Sequence, residues 1–163
     1  MRPAVVMDTN VAMVANGSAT QASPDCITRC LDRLQKIQDT ERIVLDDMGR
    51  IFEEYLGNLS LSGQPGPGDV FFKWLWNNQG NTDLCQRVHI TPHEARVFEE
   101  FPDSDELRDF DRNDRKFVAV AIASGEEPPI LNASDTDWRE HRLSLESYGI
   151  HIDFLCPELM EER

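Results

Sequence analysis

Carboxylate side chains occur at four separate points along the chain, each beside a predicted strand or helix boundary. They are Asp8, Glu53 or Glu54, Asp114, and the pair Asp135 and Asp137. If folding brings them together, their like charges repel by several kcal/mol unless a cation neutralises them. Carboxylate oxygens are the ligands that the hard ions Mg²⁺ and Mn²⁺ prefer. These residue types therefore predict a divalent-metal site.

Asp8 directly follows a short apolar run, Ala4–Met7. In open α/β sheets, ligands bind outside the carboxyl ends of the strands, which is where this residue is expected. Thr9 and Asn10 could support it by hydrogen bonding. An equally good interpretation is that Asp8 only caps the helix that follows.

Asp114 heads an inward-facing stripe on a predicted helix. The apolar residues of this stripe are Phe117, Val118, Ala121 and Ile122, which share one helix face with it. A carboxylate in this position needs compensation, which either the helix N-terminus or a bound cation supplies. Asp111, one turn earlier, could assist.

The other carboxylates are placed less specifically by the sequence. Glu53 and Glu54 lie on opposite sides of the apolar stripe of one helix, so periodicity does not choose between them. Asp135 and Asp137 follow another apolar run, where Ser134 or Asp135 could be an ordinary helix cap. The shared position of Asp8, Asp114 and Asp135 at one edge of a parallel sheet favours a joint site over separate caps.

The elements that must position these residues alternate between apolar runs and helix-period stretches, as in parallel strands joined by crossover helices. The predicted strands are residues 4–7, 43–46, 87–91, 129–131 and 150–155. The predicted helices are residues 24–38, 47–59, 70–77, 113–124 and 138–147. This order predicts an α/β fold, a three-layer α/β/α sandwich with a central, mainly parallel sheet of about five strands.

We expect one domain over residues 1–163, with 62–84 as an insertion containing Gly, Pro and Trp. Asp69 can cap a short helix there that carries Trp74 and Trp76. These rings could stack on unpaired bases, but packing is the commoner role of an aromatic stripe.

The formal net charge of −14 is unusual for a protein that binds nucleic acid, since such proteins normally carry a basic surface. Bound divalent cations or a basic partner could offset it. An acidic surface also serves solubility.

The four cysteines, Cys26, Cys30, Cys85 and Cys156, lack the paired spacing of zinc sites. We predict reduced thiols that fill core space. No segment has the length of a membrane span or the form of a signal peptide, so we expect a soluble cytoplasmic protein.

Four motifs in order resemble the PIN-domain family over nearly the whole chain. They read VVMDTN, IFEEYL, DRKFVAVA and NASDTDW. The family has an Asp closing strand one and a Glu on the helix after strand two. It also has an Asp opening a later helix and a T-x-D-x-D-aromatic motif after strand four. Asp8, Asp114 and Asp135 match this pattern directly, and Asp137 matches the second Asp of the last motif.

The resemblance also bears on two ambiguous positions. Glu54 is preferred to Glu53, because the family's Glu usually precedes an apolar or aromatic residue, here Tyr55. Ala133 stands where the family usually has Thr, so the polar support must come from Ser134 or Asn132, or be absent.

What the resemblance implies is an endoribonuclease dependent on Mg²⁺ or Mn²⁺, which leaves a 5′-phosphate and a 3′-hydroxyl. The catalytic and metal-binding set is then Asp8, Glu54, Asp114 and Asp135, with Asp137 as a further metal ligand. Many members are toxins of toxin–antitoxin pairs, so the implied partners are an RNA substrate, an antitoxin protein and a second copy in a homodimer.

Five residues near these carboxylates are candidates for substrate binding. They are Asn10, Arg112, Arg115, Lys116 and Ser134. The three cations flank Asp114 and could contact phosphate, although exposed cations at a helix start serve equally well as solubilising charge.

Other functions fit the sequence less well. An aspartyl phosphotransferase would have a second Asp two residues after Asp8, where Asn10 stands, and a receiver domain would need an Asp after strand three. The alternative from a different class is a PIN-like protein-interaction module that is catalytically weak or inactive.

Overall fold

Five parallel strands form the central sheet of the computed structural model, which describes residues 1–19 and 22–160. The strands of the protein are β1 Ala4–Met7, β2 Arg42–Asp46, β3 Cys85–Val88, β4 Pro92–His93, β5 Val97–Phe98, β6 Ile130–Asn132 and β7 Ile152–Phe154. The sheet has the order β3-β2-β1-β6-β7, and each neighbouring pair is parallel. The predicted α/β/α sandwich is therefore confirmed.

The inner strands are buried on both faces. Val5 and Val44 are 1 % exposed and Leu131 is fully buried. Helices cover both sides of such a sheet, so its strands are continuous apolar runs rather than alternating ones. These runs made β1, β2 and β6 recognisable in the sequence.

Seven α-helices lie in the described part of the chain. They are α1 Thr9–Ala15, α2 Pro24–Thr40, α3 Arg50–Leu56, α4 Pro67–Asn77, α5 Arg115–Ser124, α6 Thr136–Glu140 and α7 Arg142–Glu146. Short 3₁₀ turns occur at Asp105–Leu107, Arg112–Asp114 and Pro157–Met160. Ser23 Oγ accepts the Cys26 amide at 3.1 Å and Pro24 opens α2, an arrangement typical of a Ser-Pro helix start. No helix among the described residues is long and apolar enough to cross a membrane.

The segment predicted as an insertion contains α4, which packs against α1 and α2. Gly68 is essential to this packing, because a Cβ there would lie 2.1 Å from the Ala12 carbonyl oxygen. The Gly68 amide donates to Asn16 Oδ1 at 2.6 Å. Asp69 is buried and accepts the amides of Gly66 and Ser60. The helix begins at Pro67 rather than at the predicted residue 70, so Asp69 lies in its first turn and not ahead of it. The helix is thus part of the domain core.

Several strands and helices begin or end at other residues than predicted. The strand expected at residues 87–91 begins and ends earlier, and the chain after it forms the antiparallel β4–β5 hairpin. The helix expected at 138–147 is divided at His141 into α6 and α7. The predicted helices did not include a range for α1, although the capping interpretation of Asp8 assumed a helix there, because α1 is too short to show a clear helical period.

The prediction that all four cysteines are reduced thiols is wrong for two of them. Cys26 at the start of α2 and Cys156 after β7 form a disulfide, with their Cα atoms 5.5 Å apart. Their separation of 130 residues along the chain conceals this proximity, which the sheet order creates. Cys30 and Cys85 are free and buried, and burial raises the pKa of each thiol to about 11.

Candidate functional site

Asp8 leaves β1 at the carboxyl edge of the sheet and is 6 % exposed. Its Oδ1 accepts the Asn10 amide at 3.0 Å, and its Oδ2 accepts Asn132 Nδ2 at 3.4 Å. Burial raises the pKa of Asp8 to about 7, against the lowering effect of the Asn10 amide. The charges of Asp135 and Glu54 add to the rise. Asp8 therefore does more than cap α1.

Two asparagines fix the carboxylate of Asp8. Asn10 Nδ2 donates to Asn132 Oδ1 at 3.3 Å, and Asn10 Oδ1 accepts the Ala133 amide at 3.0 Å. Asn132 is fully buried at the end of β6, and β6 pairs with β1. The polar support that Ala133 lacks is thus supplied by Asn132, one of the two residues that the sequence offered for it.

Asp114 lies immediately before α5, and its side chain makes no capping hydrogen bond in the described structure. Burial raises its pKa to about 8, and the charges of Asp8, Asp111 and Asp135 add to the rise. Ordinary N-capping therefore does not explain this half-buried carboxylate. It faces other carboxylates instead.

Asp135 is the third acidic group at this edge. Its Oδ1 accepts the Asp137 amide at 2.8 Å and so caps α6, while its own amide donates to Asn132 Oδ1 at 2.9 Å. Burial raises the pKa of Asp135, and the charges of Asp137 and Asp111 contribute. One hydrogen-bond network therefore connects the ends of β1 and β6 with the start of α6.

The structure distinguishes the two glutamates of α3. Glu53 is exposed, whereas Glu54 is half-buried and its charge raises the pKa values of Asp8 and Asp114. Glu54 Oε1 accepts Lys116 Nζ at 2.9 Å. Glu54 is therefore the glutamate that belongs to the site, with one cation already beside it.

Asp137 mainly stabilises adjacent segments of the same chain. Its Oδ2 accepts the Asp111 amide at 3.0 Å, and its Oδ1 lies 3.3 Å from His141 Nδ1. The hydrogen bond to Asp111 fixes the turn that carries Asp114. A structural role accounts for Asp137 without requiring it as a metal ligand.

Buried donors without partners also occur at this edge. Trp138 Nε1 and Thr9 Oγ1 have no hydrogen-bond partner among the described residues, although both side chains are buried. The Trp138 N–H faces the Asp8 carboxylate and lowers its pKa, against the larger effect of burial. Sequence reasoning did not assign Trp138 to the site; its place after the D-x-D motif was the available signal.

The predicted substrate-binding residues differ in their surroundings. Asn10 positions Asp8, Lys116 pairs with Glu54, and Ser134 is half-exposed near the cluster. Arg112 is exposed. Arg115 is 4 % exposed, and its guanidinium donates to the carbonyls of the preceding loop, so it holds the fold rather than facing solvent.

The donor chemistry of the site fits a hard divalent cation. Among the described residues, only Cys26, Cys30 and Cys156 have three ligand atoms all within 4.8 Å of one another, so the carboxylates are not a closed three-ligand cage. Mg²⁺ does not need one, because it retains water and takes only one or two protein carboxylates. The oxygen-only set and its raised pKa values are thus consistent with Mg²⁺ or Mn²⁺.

Comparisons of this chain with protein-family models, with curated proteins and with solved structures found no match.

Proposed function

We propose that this protein is a PIN-like endoribonuclease that uses Mg²⁺ or Mn²⁺ to hydrolyse phosphodiester bonds in RNA. One observation carries the proposal. Asp8, Asp114 and Asp135 meet at the carboxyl edge of a parallel sheet, and the pKa of each is raised by burial and by neighbouring carboxylates. Converging carboxylates without cationic partners are costly unless a metal binds them.

The candidate ligands of the cation are Asp8, Glu54, Asp114 and Asp135. One or two of them would bind it directly, and the others would contact the water that it retains. A bound Mg²⁺ or Mn²⁺ supplies positive charge against the scissile phosphate and makes water more acidic. In hydrolysis, water adds to phosphorus, the 3′ oxygen leaves and takes up a proton, and a 5′-phosphate remains. The protein's own residues hold the carboxylate groups in fixed positions, because catalysis by positioning requires a fixed geometry.

Several neighbouring residues hold these carboxylates in place. Asn10 and Asn132 orient Asp8, and Tyr55 donates its hydroxyl to the Met7 carbonyl at 2.6 Å, which ties α3 to the end of β1. Asp137 holds the turn that bears Asp114. Lys116 holds Glu54 and lies where it could also contact a phosphate.

The test is cleavage of a mixed RNA pool with Mn²⁺ or Mg²⁺. We expect Asp8→Asn and Asp114→Asn to abolish cleavage, and EDTA to do the same to the wild type. Glu54→Gln should lose activity, whereas the matched control Glu53→Gln should retain it. Equal activity of wild type and both aspartate variants would refute the site. The same cleavage assay on a pool of single-stranded DNA shows whether the substrate is RNA or DNA.

The partners are part of the same proposal: a small antitoxin protein that blocks the acidic edge, and a second copy of the chain in a homodimer. Expression of the wild type without an antitoxin should then arrest growth, and Asp8→Asn should relieve the arrest. Sedimentation of the purified protein tests the homodimer.

A protein-interaction module without catalysis is the competing function. The charge of −14 favours it, because RNA must approach an acidic protein. Wild-type protein that cleaves neither nucleic acid with either metal would support this module.

A further inference from the structure

A polar pocket is lined in part by Arg112 and Arg115, which lie on either side of Asp114 in the sequence. It has a volume of about 340 Å³. Its charged lining consists of Arg96, Arg108, Arg112, Arg115, Asp103 and Asp105. Four of the sixteen Lys and Arg residues of the chain therefore line one cavity, although Arg115 is itself buried.

The local charge of this pocket opposes that of the whole protein. Four arginines against two aspartates leave a formal charge of +2, whereas the chain carries −14. Positive charge gathered in a concave surface focuses the field there and attracts anions. The planar guanidinium group is the side chain best suited to bind phosphate oxygens in pairs.

Two of the arginines build the pocket. Arg115 donates to the carbonyls of Leu107, Arg108 and Phe110 at 3.2 Å or less, and its guanidinium lies 4.5 Å from the centre of the Phe101 ring. It thereby fixes the loop from which the Arg108 side chain extends.

Arg96 is the second arginine that fixes the shape of the pocket. Its Nε and Nη2 donate to the carbonyls of Phe101 and Glu99 at 3.0 and 3.2 Å. Its ion pair with Asp103, at 3.9 Å, is weak because that carboxylate is 90 % exposed.

The other two arginines keep free donors. Arg112 uses only Nη1, which donates to the Ala95 carbonyl at 3.0 Å, and its Nε and Nη2 have no partner among the described residues. Arg108 pairs with Asp105, but the two side chains are 75 % and 92 % exposed. An exposed ion pair of this kind contributes little, so a phosphate can replace Asp105 at small cost.

The pocket adjoins the acidic site through one turn. Arg112 and Asp114 both belong to the 3₁₀ turn Arg112–Asp114, and Arg115, which directly follows Asp114, also lines the pocket. Asp111 caps this turn by accepting the Asn113 amide at 2.9 Å. A polyanion whose scissile phosphate reaches Asp114 therefore has a neighbouring phosphate within reach of the pocket.

We infer that the arginine pocket is a subsite for a backbone phosphate of RNA that flanks the bond to be cleaved. Arg108 and Arg112 bind the phosphate, and Arg96 and Arg115 position them. The inference rests on the proposed nuclease function. It also explains how a protein with a charge of −14 retains a polyanion, since the attraction comes from one localised positive patch.

The test compares the wild type with the double variant Arg108→Gln/Arg112→Gln. Its matched control is Arg87→Gln, an exposed arginine of β3 that does not line the pocket. The substrates are a single-stranded RNA of about twelve nucleotides, long enough to occupy a groove, and bis(p-nitrophenyl) phosphate, which is too short to reach the pocket. Fluorescence anisotropy with a cleavage-resistant phosphorothioate RNA measures binding separately from cleavage.

We expect the double variant to raise KM for the RNA about tenfold and to weaken binding of the phosphorothioate RNA equally. The salt dependence of binding should fall, by about 0.7 in log–log slope for each phosphate of the single strand that the variant no longer neutralises. The ratio of RNA cleavage to bis(p-nitrophenyl) phosphate hydrolysis should fall about tenfold with the change in KM. Arg87→Gln should match the wild type in all three measurements.

The outcomes separate the two proposals. If the double variant keeps the wild-type KM, affinity and salt slope while both proteins cleave RNA, the subsite is overturned and the nuclease stands. If the wild type cleaves neither substrate but RNA binding depends on Arg108 and Arg112, the nuclease fails and the phosphate site stands. Wild-type protein that does not bind the phosphorothioate RNA would overturn the subsite.

Discussion

Asp8 and Asp46 end neighbouring strands of the sheet, at the same edge, and both are buried. Asp46 accepts three backbone amides, those of Met48, Arg50 and Ile51, at 2.8 to 3.0 Å. Asp8 accepts one amide and one long side-chain hydrogen bond, and it faces other carboxylates. Backbone donors satisfy the charge of Asp46, whereas the charge of Asp8 lacks compensation within the protein.

The difference between these two aspartates distinguishes structural from functional acidic residues. A carboxylate that accepts several amide hydrogens is stabilised in its charged form without any ligand. A buried carboxylate with few donors is stable only when protonated or when a cation binds it. The same strand-end position therefore has two roles, and the backbone that follows decides which one applies.

The largest expected effect concerns activity. Asp8→Asn removes a charge but nearly no volume, so we expect metal-dependent RNA cleavage to fall by about a hundredfold or more. Asp46→Asn should keep the wild-type rate per folded molecule, because Asp46 bonds only to backbone amides. Rates are to be normalised to folded protein by circular dichroism. Equal losses of cleavage activity in the two variants would show that Asp8 and Asp46 do not differ in function.

The next effect concerns stability. Asp46→Ala leaves three amides without an acceptor, two at the start of α3 and that of Met48 in the turn before it, which should cost about 2 kcal/mol of unfolding free energy. Urea denaturation measures it. Asp47→Ala is the matched control, because Asp47 is exposed and its partner His89 is also exposed, so a change of about 0.5 kcal/mol or less is expected. A stable Asp46→Ala variant would show that these hydrogen bonds do not hold α3.

A smaller effect is expected when the support of Asp8 is removed. Asn132→Ala deletes the Nδ2 donor to Asp8 and the acceptor of Asn10 Nδ2, so the carboxylate loses its fixed orientation. We expect about a tenfold fall in kcat and a higher Mn²⁺ concentration for half-maximal rate. A purely structural Asn132 would lower the folded fraction without moving the Mn²⁺ dependence.

The sequence predicts much of the fold because its signals are local. Continuous apolar runs identify β1, β2 and β6, and the Ser23-Pro24 start identifies α2. The disulfide between Cys26 and Cys156 could not be predicted, since only the sheet order brings residues 130 positions apart together.

The site was predictable in part, for the same reason. Asp8, Asp114 and Asp135 stand at strand or helix ends that the sequence reveals, and the structure brings them to one edge. Asp46 has the same sequence signature as Asp8. It differs through the turn at Gly49, whose φ of 78° lets the chain fold its amides back onto the carboxylate. That difference depends on three-dimensional geometry, as does the choice of Glu54 over Glu53.

The last prediction concerns pH in the absence of divalent cations. The pKa of Asp8 is raised from 3.8 to about 7, and that of Asp114 from 3.8 to about 8. Between about pH 4 and about pH 8, Asp8 and Asp114 bind more protons in the folded protein than in the unfolded chain. The stability that these two groups contribute is therefore full below about pH 4 and falls as the pH rises towards 8. General repulsion in an acidic protein acts in the same direction. The specific quantity is therefore the difference between wild type and Asp8→Asn.

Thermal denaturation in EDTA at about pH 5 and about pH 8 measures this difference. The wild type should lose more Tm between the two conditions than Asp8→Asn does, by about 3 °C for each kcal/mol. Mg²⁺ at the higher pH should restore the wild type and leave Asp8→Asn nearly unchanged, because a ligand stabilises only the state that binds it. Parallel pH profiles with equal Mg²⁺ responses would mean that Asp8, like Asp46, is satisfied by the protein alone.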